Sequence, residues 1–147
     1  MATEETQKTK LEEIEERRAK RKAKAQEARA EQEAIDLEAI DKIEVEKGLD
    51  LKTLRLNITG TGLPVLVAIK APDETYYKRF KQRVRRADGN AEKRGDAQEE
   101  LAASCWVYPD DEQVRKSVTS AAPGTLMSIF VEAIKLAELA SEAEGKA

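Results

Sequence analysis

The spacing of apolar and polar residues changes at Gly48 and divides the chain into two parts. Residues 1–47 contain no Gly or Pro and are dominated by Ala, Glu, Lys and Arg, which enter helices at little cost. This pattern predicts one long helix that stops at Gly48. We expect a charged arm (residues 1–47) attached to a small α+β body (residues 48–147).

Apolar residues become frequent only towards the end of the arm. We expect that end to dock on the body through Ile35, Leu37, Ile40, Ile43 and Val45. The first thirty or so residues (roughly 1–30) are less apolar, so they should be mobile or dependent on a partner.

Beyond Gly48, apolar residues recur at every second position, as they do in a β-strand. Leu54, Leu56 and Ile58 alternate with polar residues, a Thr-Gly-Thr-Gly turn covers 59–62, and a continuous apolar run follows at 65–69. The pattern predicts a β-hairpin whose second strand is buried on both sides, beneath helices.

A basic amphipathic helix is predicted after the hairpin. Pro72 stands near its first turn, and Tyr76, Phe80, Val84 and Ala87 recur on one face, which we expect to point inward. Lysines and arginines cover the remaining surface. The helix therefore packs through its aromatic side and presents a cationic side to solvent.

The boundaries of the elements after residue 88 are predicted from short capping and proline motifs. We predict a loop over residues 89–95 and then a helix that begins at Asp96 and Glu99, which resemble a capping box. That helix, or a short strand at 106–108, ends at Pro109, where another short helix begins. The fold class expected is α+β and mostly helical: a long charged N-terminal helix, one β-hairpin, then three to four helices.

The last predicted helix, about residues 125–142, is apolar on nearly all sides. Such a helix is buried on several sides, either at the centre of the body or against another protein. Both interpretations stay open. The candidate partner-binding residues are Leu126, Met127, Ile129, Phe130, Val131 and Ile134.

Composition excludes several classes of enzyme. The 147 residues include no His and a single Cys, Cys105, so there is no imidazole base, no Ser-His or Cys-His pair and no internal disulfide. We expect no catalytic activity, no cofactor and no metal site. The N-terminus lacks the apolar segment of a secretory signal and no apolar run reaches membrane-spanning length, so we expect a cytoplasmic protein without a membrane segment.

The charges are segregated, which the net charge of −3 conceals. A glutamate-rich stretch at 4–16 precedes a basic stretch at 17–24, and the helix after Pro72 carries a second basic stretch. Phosphate backbones are attracted to such blocks. The candidate residues for electrostatic contact are Arg17, Arg18, Lys20, Arg21, Lys22, Lys24, Arg79, Arg83 and Arg86.

The body carries a series of short motifs in a characteristic order. After the apolar strand come Ala71-Pro72-Asp73-Glu74 with the aromatic and basic helix, Cys105-Trp106-Val107-Tyr108-Pro109-Asp110, and Ala122-Pro123-Gly124-Thr125-Leu126 with the final apolar helix. Over about residues 64–140 this order resembles small tail assembly chaperones of bacteriophages and related phage structural proteins. The resemblance implies a non-enzymatic protein of the host cytoplasm that binds the hydrophobic tape measure protein, keeps it soluble and helps the tail tube polymerise around it.

The arm lies outside this resemblance and supports two alternatives. The first is a virion structural subunit, forming homo-oligomers, whose acidic half contacts the basic half of a neighbouring copy and which remains in the particle. The second is a nucleic-acid-binding accessory protein that uses both basic blocks.

Overall fold

The predicted class, α+β and mostly helical, is confirmed by the computed structural model, which describes residues 4–58 and 62–145. Within these residues the elements are α1 (Glu4–Lys47), β1 (Lys52–Arg55), β2 (Leu66–Ile69), α2 (Glu74–Ala87), α3 (Ala91–Cys105), β3 (Trp106–Tyr108), α4 (Glu112–Ala121) and α5 (Thr125–Gly145). The strands form an antiparallel sheet in the order β1-β2-β3, with α1 against one face and the later helices against the other.

The first 47 residues form one uninterrupted helix over the part that the structure describes, as predicted. At 1.5 Å per residue, α1 is about 66 Å long. The chain leaves it at Gly48, whose φ of +61° is a conformation that glycine adopts without steric cost. The side chains of residues 4–28 are exposed, and we call this part the distal segment.

The rest of α1 docks on the sheet through a narrower face than the one predicted. Ile40 is buried and Ile43 is half-buried. Ile35, Leu37 and Val45 are exposed by 58%, 49% and 76%, so their predicted docking is wrong. A helix turns by about 100° per residue, and these three positions point about 100° or more away from the docking face.

The predicted hairpin is present, and its second strand is central. β1 pairs with β2 with Leu54 opposite Val67, and β3 pairs with the other edge of β2. Residues 59–61 of the predicted turn lie outside the described residues. The strand predicted as an alternative at 106–108 forms as β3 and adds a third strand to the hairpin.

The core lies on both faces of β2, and the burial of this strand on both sides agrees with the prediction. Val67 and Ile69 point into a cluster with Val118 of α4 and Ile129 of α5. The alternate residues of β2 face Ile40 of α1. Every residue of β2 is buried, because helices cover the sheet on both sides.

The inward face of α2 differs by one residue from the prediction. Tyr76 is exposed by 43%, whereas Tyr77, Phe80 and Val84 are half-buried. Positions 77, 80, 84 and 87 follow intervals of three and four, which keeps them on one stripe. A series that starts from 76 drifts around the helix. Pro72 precedes the N-cap residue Asp73 rather than standing in the first turn.

The predicted loop at 89–95 is wrong, because α3 begins at Ala91. Asn90 is the N-cap, and its side-chain oxygen accepts hydrogen bonds from the backbone N–H groups of Glu92 and Lys93. Asp96 therefore lies inside the helix and does not cap it. Gly95 lies on the half-buried side of α3, where a Cβ atom in its place would meet no neighbouring heavy atom within 4 Å.

Candidate functional site

The six candidate residues of α5 have three different environments. Ile129 is fully buried in the core. Leu126, Phe130 and Ile134 are half-buried, and the Phe130 ring meets Phe80 edge-on at 5.4 Å between centroids. The remaining two, Met127 and Val131, are exposed by 48% and 45%.

Val131 borders an open cavity of about 550 Å³ between β1 and the first half of α5. We call this the β1–α5 groove. Its apolar lining consists of Leu54, Leu56, Val67, Ala122, Ile129 and Val131. Its polar lining includes Arg55, Asn57, Thr125, Ser128 and Glu132. Met127 lies one helical turn before Val131 and extends the apolar surface along α5.

One wall of the groove is the outer edge of β1. Antiparallel pairing alternates between residues that bond to the partner strand and residues that face away from it. Because the Leu56 N–H donates to the Val65 carbonyl at 2.7 Å, the backbone groups of Thr53 and Arg55 face away from β2. No strand pairs with that edge in the part of the chain that the structure describes.

Ion pairs at the rim tie the two walls and α1 together. Lys52 Nζ of β1 lies 2.5 Å from Glu132 Oε2 of α5, and this hydrogen bond holds the pKa of Glu132 below its usual range. Arg55 Nη2 lies 2.5 Å from Glu33 Oε1 of α1. The groove therefore has an apolar interior and a charged rim, the arrangement found in protein interfaces.

Two polar residues of α1, Arg29 and Asp36, hold the hairpin at the end nearest its turn, and we call them the hairpin clasp. The Val65 N–H donates to Asp36 Oδ2 at 2.8 Å, and the Leu56 carbonyl accepts from Arg29 Nη2 at 3.3 Å. Arg29 and Asp36 are two helical turns apart and share a face. The clasp thus binds backbone groups on both sides of the hairpin, next to the ends of β1 and β2.

The carboxylate of Asp36 is fully buried and accepts four hydrogen bonds. Besides Val65, the donors are the Leu66 N–H at 3.1 Å, the Tyr108 hydroxyl at 2.6 Å and Gln32 Nε2 at 2.9 Å. Burial, and then the hydrogen bond to Asp36, raises the pKa of Tyr108 above its usual range. Since charge-assisted bonds compensate the desolvation of a carboxylate, Asp36 fixes α1 to β2 and β3.

Sequence reasoning missed the clasp, although one signal was present. Asp36 lies one turn before Ile40, in phase with the buried stripe, and a carboxylate at such a position needs donors. Its backbone donors lie 29 and 30 residues away, and its hydroxyl donor 72 residues away, so their identity depends on the fold.

The structure does not bring the basic candidate residues into one site. Arg17, Arg18, Lys20, Arg21, Lys22 and Lys24 lie exposed on the distal segment, and Arg79, Arg83 and Arg86 lie on α2. Arg79 and Arg83 both form ion pairs with Glu100 of α3. Two of the three candidate arginines of α2 are thus engaged within the fold, which reduces their availability to phosphate groups.

Cys105 is fully buried, and burial raises the pKa of its thiol. Within residues 4–58 and 62–145, no three Cys, Asp or Glu side chains converge as metal ligands would. Over the same residues no single helix is long and apolar enough to cross a membrane; α4 and α5 reach that length only jointly, across a bend of 106°.

Comparisons with known proteins add no relative. The chain gave no match to a protein-family model, to a curated protein or to a solved structure. The assignment of function therefore rests on the residues of the groove, the clasp and the distal segment.

Proposed function

We propose that this chain is a non-enzymatic phage assembly protein, a tail assembly chaperone that binds an apolar helical segment of the tape measure protein in the β1–α5 groove. The observation that carries the proposal is an apolar surface formed by the exposed Met127 and Val131 beside the half-buried Leu54 and Ala122 of the groove. The resemblance of residues 64–140 to tail assembly chaperones supports the same class of partner.

The shape of the groove suits the apolar face of a partner helix. Met127 and Val131 are spaced by one turn on a helix whose opposite side, at Ile129 and Ala133, is anchored in the core. Apolar residues spaced by three and four on a partner helix would lie along this surface and into the groove. Covering it removes apolar area from water, which contributes about 25 cal/mol per Å² before the costs of association.

Reversibility follows from the modest size of this surface. An exposed apolar patch on a folded protein marks an interaction site, but a small one supports only a transient complex. A chaperone must release its client when the tail tube polymerises. A shallow groove with a charged rim fits that requirement better than a deep, closed pocket.

The proposal is tested by co-expression with a phage tape measure protein. The wild type should keep that protein soluble and co-purify with it. The double variant Met127→Glu/Val131→Glu places two charges on the apolar surface, so capture should fall at least tenfold. The matched control is Leu37→Glu/Val45→Glu, which changes two exposed apolar residues of α1.

Circular dichroism and a thermal melt should show both double variants folded, since all four side chains are exposed in the structure. The proposal fails if the wild type leaves the tape measure protein insoluble. It also fails if both variants capture the protein as well as the wild type does.

A second candidate is a virion structural subunit whose charged arm links neighbouring copies. The observation that favours it is the distal segment, part of one continuous helix, whose side chains are exposed. Quantitative gel analysis of purified particles distinguishes the candidates: a structural subunit is present in a fixed ratio to the other particle proteins, whereas a chaperone is lost before the particle matures.

A further inference from the structure

We propose that the distal segment of α1 binds the distal segment of a second copy of this chain in an antiparallel pair centred between Glu16 and Arg17. The inference is independent of the groove, and it gives the arm of the second candidate function a defined partner and geometry. It rests on the charge order of residues 12–21 and on what the structure leaves unpaired there.

The charge order is self-complementary under reversal. Residues 12–16 read Glu-Glu-Ile-Glu-Glu, and residues 17–21 read Arg-Arg-Ala-Lys-Arg. Two antiparallel copies with their axis between residues 16 and 17 lay the acidic block of each copy alongside the basic block of the other. The residues at equal heights along the pair are Glu12 and Arg21, Glu13 and Lys20, Glu15 and Arg18, and Glu16 and Arg17. Ile14 is level with Ala19, and each match occurs twice because of the two-fold symmetry.

A parallel pair would do the opposite. It would place acidic block against acidic block and basic block against basic block, and like charges in contact are destabilising. The order of charges therefore selects one direction and one register.

The charges of this stretch have no ion-pair partner within the described part of the chain. Among those residues, the ion pairs of α1 involve only Glu33 with Arg55 and Lys42 with Glu46. The blocks themselves set like charges four residues apart, as at Glu12 and Glu16, which weakens an isolated helix. A second copy would relieve that repulsion along both blocks.

One stripe of the distal segment maps onto itself in this register. It consists of Leu11, Glu15, Arg18 and Lys22, which recur at intervals of four, three and four. Leu11 on the stripe is exposed by 60% and Ile14 beside it by 43%. Pairing would cover both side chains, with Glu15 and Arg18 meeting at the centre.

The test is a charge swap read by sedimentation velocity at low salt. The wild type should form dimers as its concentration rises, and added salt should weaken them because the contacts are solvent-exposed ion pairs. The variant Glu12→Lys/Glu15→Lys makes the central stretch largely basic, and Arg18→Glu/Arg21→Glu makes it largely acidic. Each variant alone should remain monomeric, with its dimer dissociation constant raised at least tenfold.

An equimolar mixture of the two variants should restore the dimer, since the altered positions are again complementary. The mixing experiment distinguishes a variant that no longer pairs from a variant that no longer folds. The control Glu38→Lys/Asp41→Lys makes the same kind of change on exposed positions of α1 outside the stretch and should leave the wild-type dimer unaffected. The proposal is overturned if the wild type stays monomeric at every soluble concentration, or if neither charge variant alters the dimer.

Discussion

At the scale of single residues, the buried carboxylate of Asp36 joins α1, the hairpin and β3. It accepts from the backbone of Val65 and Leu66 and from the hydroxyl of Tyr108. The Leu66 N–H lies at the start of β2 and the Val65 N–H one residue before it, and both precede the residues of β2 that pair with β3. Asp36 therefore replaces a missing strand partner and sets the position from which the distal segment extends.

Replacement of Asp36 by Ala should destabilise the fold by about 3 kcal/mol, because it leaves buried backbone donors and a hydroxyl without an acceptor. The measurement is the midpoint of denaturant-induced unfolding, followed by circular dichroism. Asp41→Ala is the control, since Asp41 is exposed on the same helix, and its effect should stay within about 0.5 kcal/mol. Equal midpoints for the two variants would contradict the role assigned to the clasp.

Stability should fall as the pH rises above about 10, partly because of Tyr108. Burial and Asp36 raise the pKa of Tyr108 in the folded chain, so above the unfolded pKa the unfolded state has lost a proton that the folded state retains. The stabilising contribution is thus complete below the unfolded pKa and declines above it.

The variant Tyr108→Phe lacks the titrating hydroxyl, so its stability should decline less steeply between pH of about 9 and 11 than that of the wild type. Tyr76→Phe, at an exposed position, should retain the wild-type slope. Unfolding curves collected across this range give the slopes directly. A Tyr108→Phe slope as steep as the wild-type slope would show that this hydroxyl is not the group responsible.

At the scale of elements, the sequence predicts the structure correctly where the positions of helix-breaking residues agree with the spacing of apolar residues. α1 lacks any helix breaker before Gly48, and the hairpin has alternation followed by a continuous apolar run, so both were predicted correctly. α3 was misplaced because Gly95 suggested a loop. A glycine inside a helix costs about 1 kcal/mol, which the Asn90 cap and the packing of Leu101 offset.

The N-cap of α3 provides a test of this explanation. Asn90→Ala removes the acceptor for two backbone N–H groups and should cost about 1 kcal/mol of stability. Lys93→Ala changes an exposed side chain in the same turn and should have little effect. Thermal unfolding of both variants would decide the matter, and indistinguishable melting temperatures would argue that Asn90 does not begin the helix.

The β1–α5 groove could not be predicted from the sequence in the same way. Its walls come from Leu54 and Val131, which are far apart along the chain and meet only through the register of β1 with β2 and the packing of α5. Periodicity marked α5 as apolar on nearly all sides, but it left open which residues enter the core. The fold divides them, with Ile129 inside and Met127 and Val131 outside.

At the scale of the whole molecule, the chain has two surfaces of different chemistry, and one of them lies on the helix that docks on the body. The groove offers an apolar surface beside the sheet, and the distal segment offers ordered blocks of opposite charge. The clasp at Arg29 and Asp36 joins the helix that carries one surface to the hairpin that forms part of the other. A paired distal segment would therefore present two grooves in one assembly, and two grooves on one client bind with avidity.

The central claim, that a partner binds in the β1–α5 groove, is tested most directly by hydrogen exchange of the chain alone and in complex with the tape measure protein. We predict new protection in residues 52–57 and 124–132, which form the two walls, and little change in α2. Protection confined to other segments, with these walls exchanging as in the free chain, would contradict it.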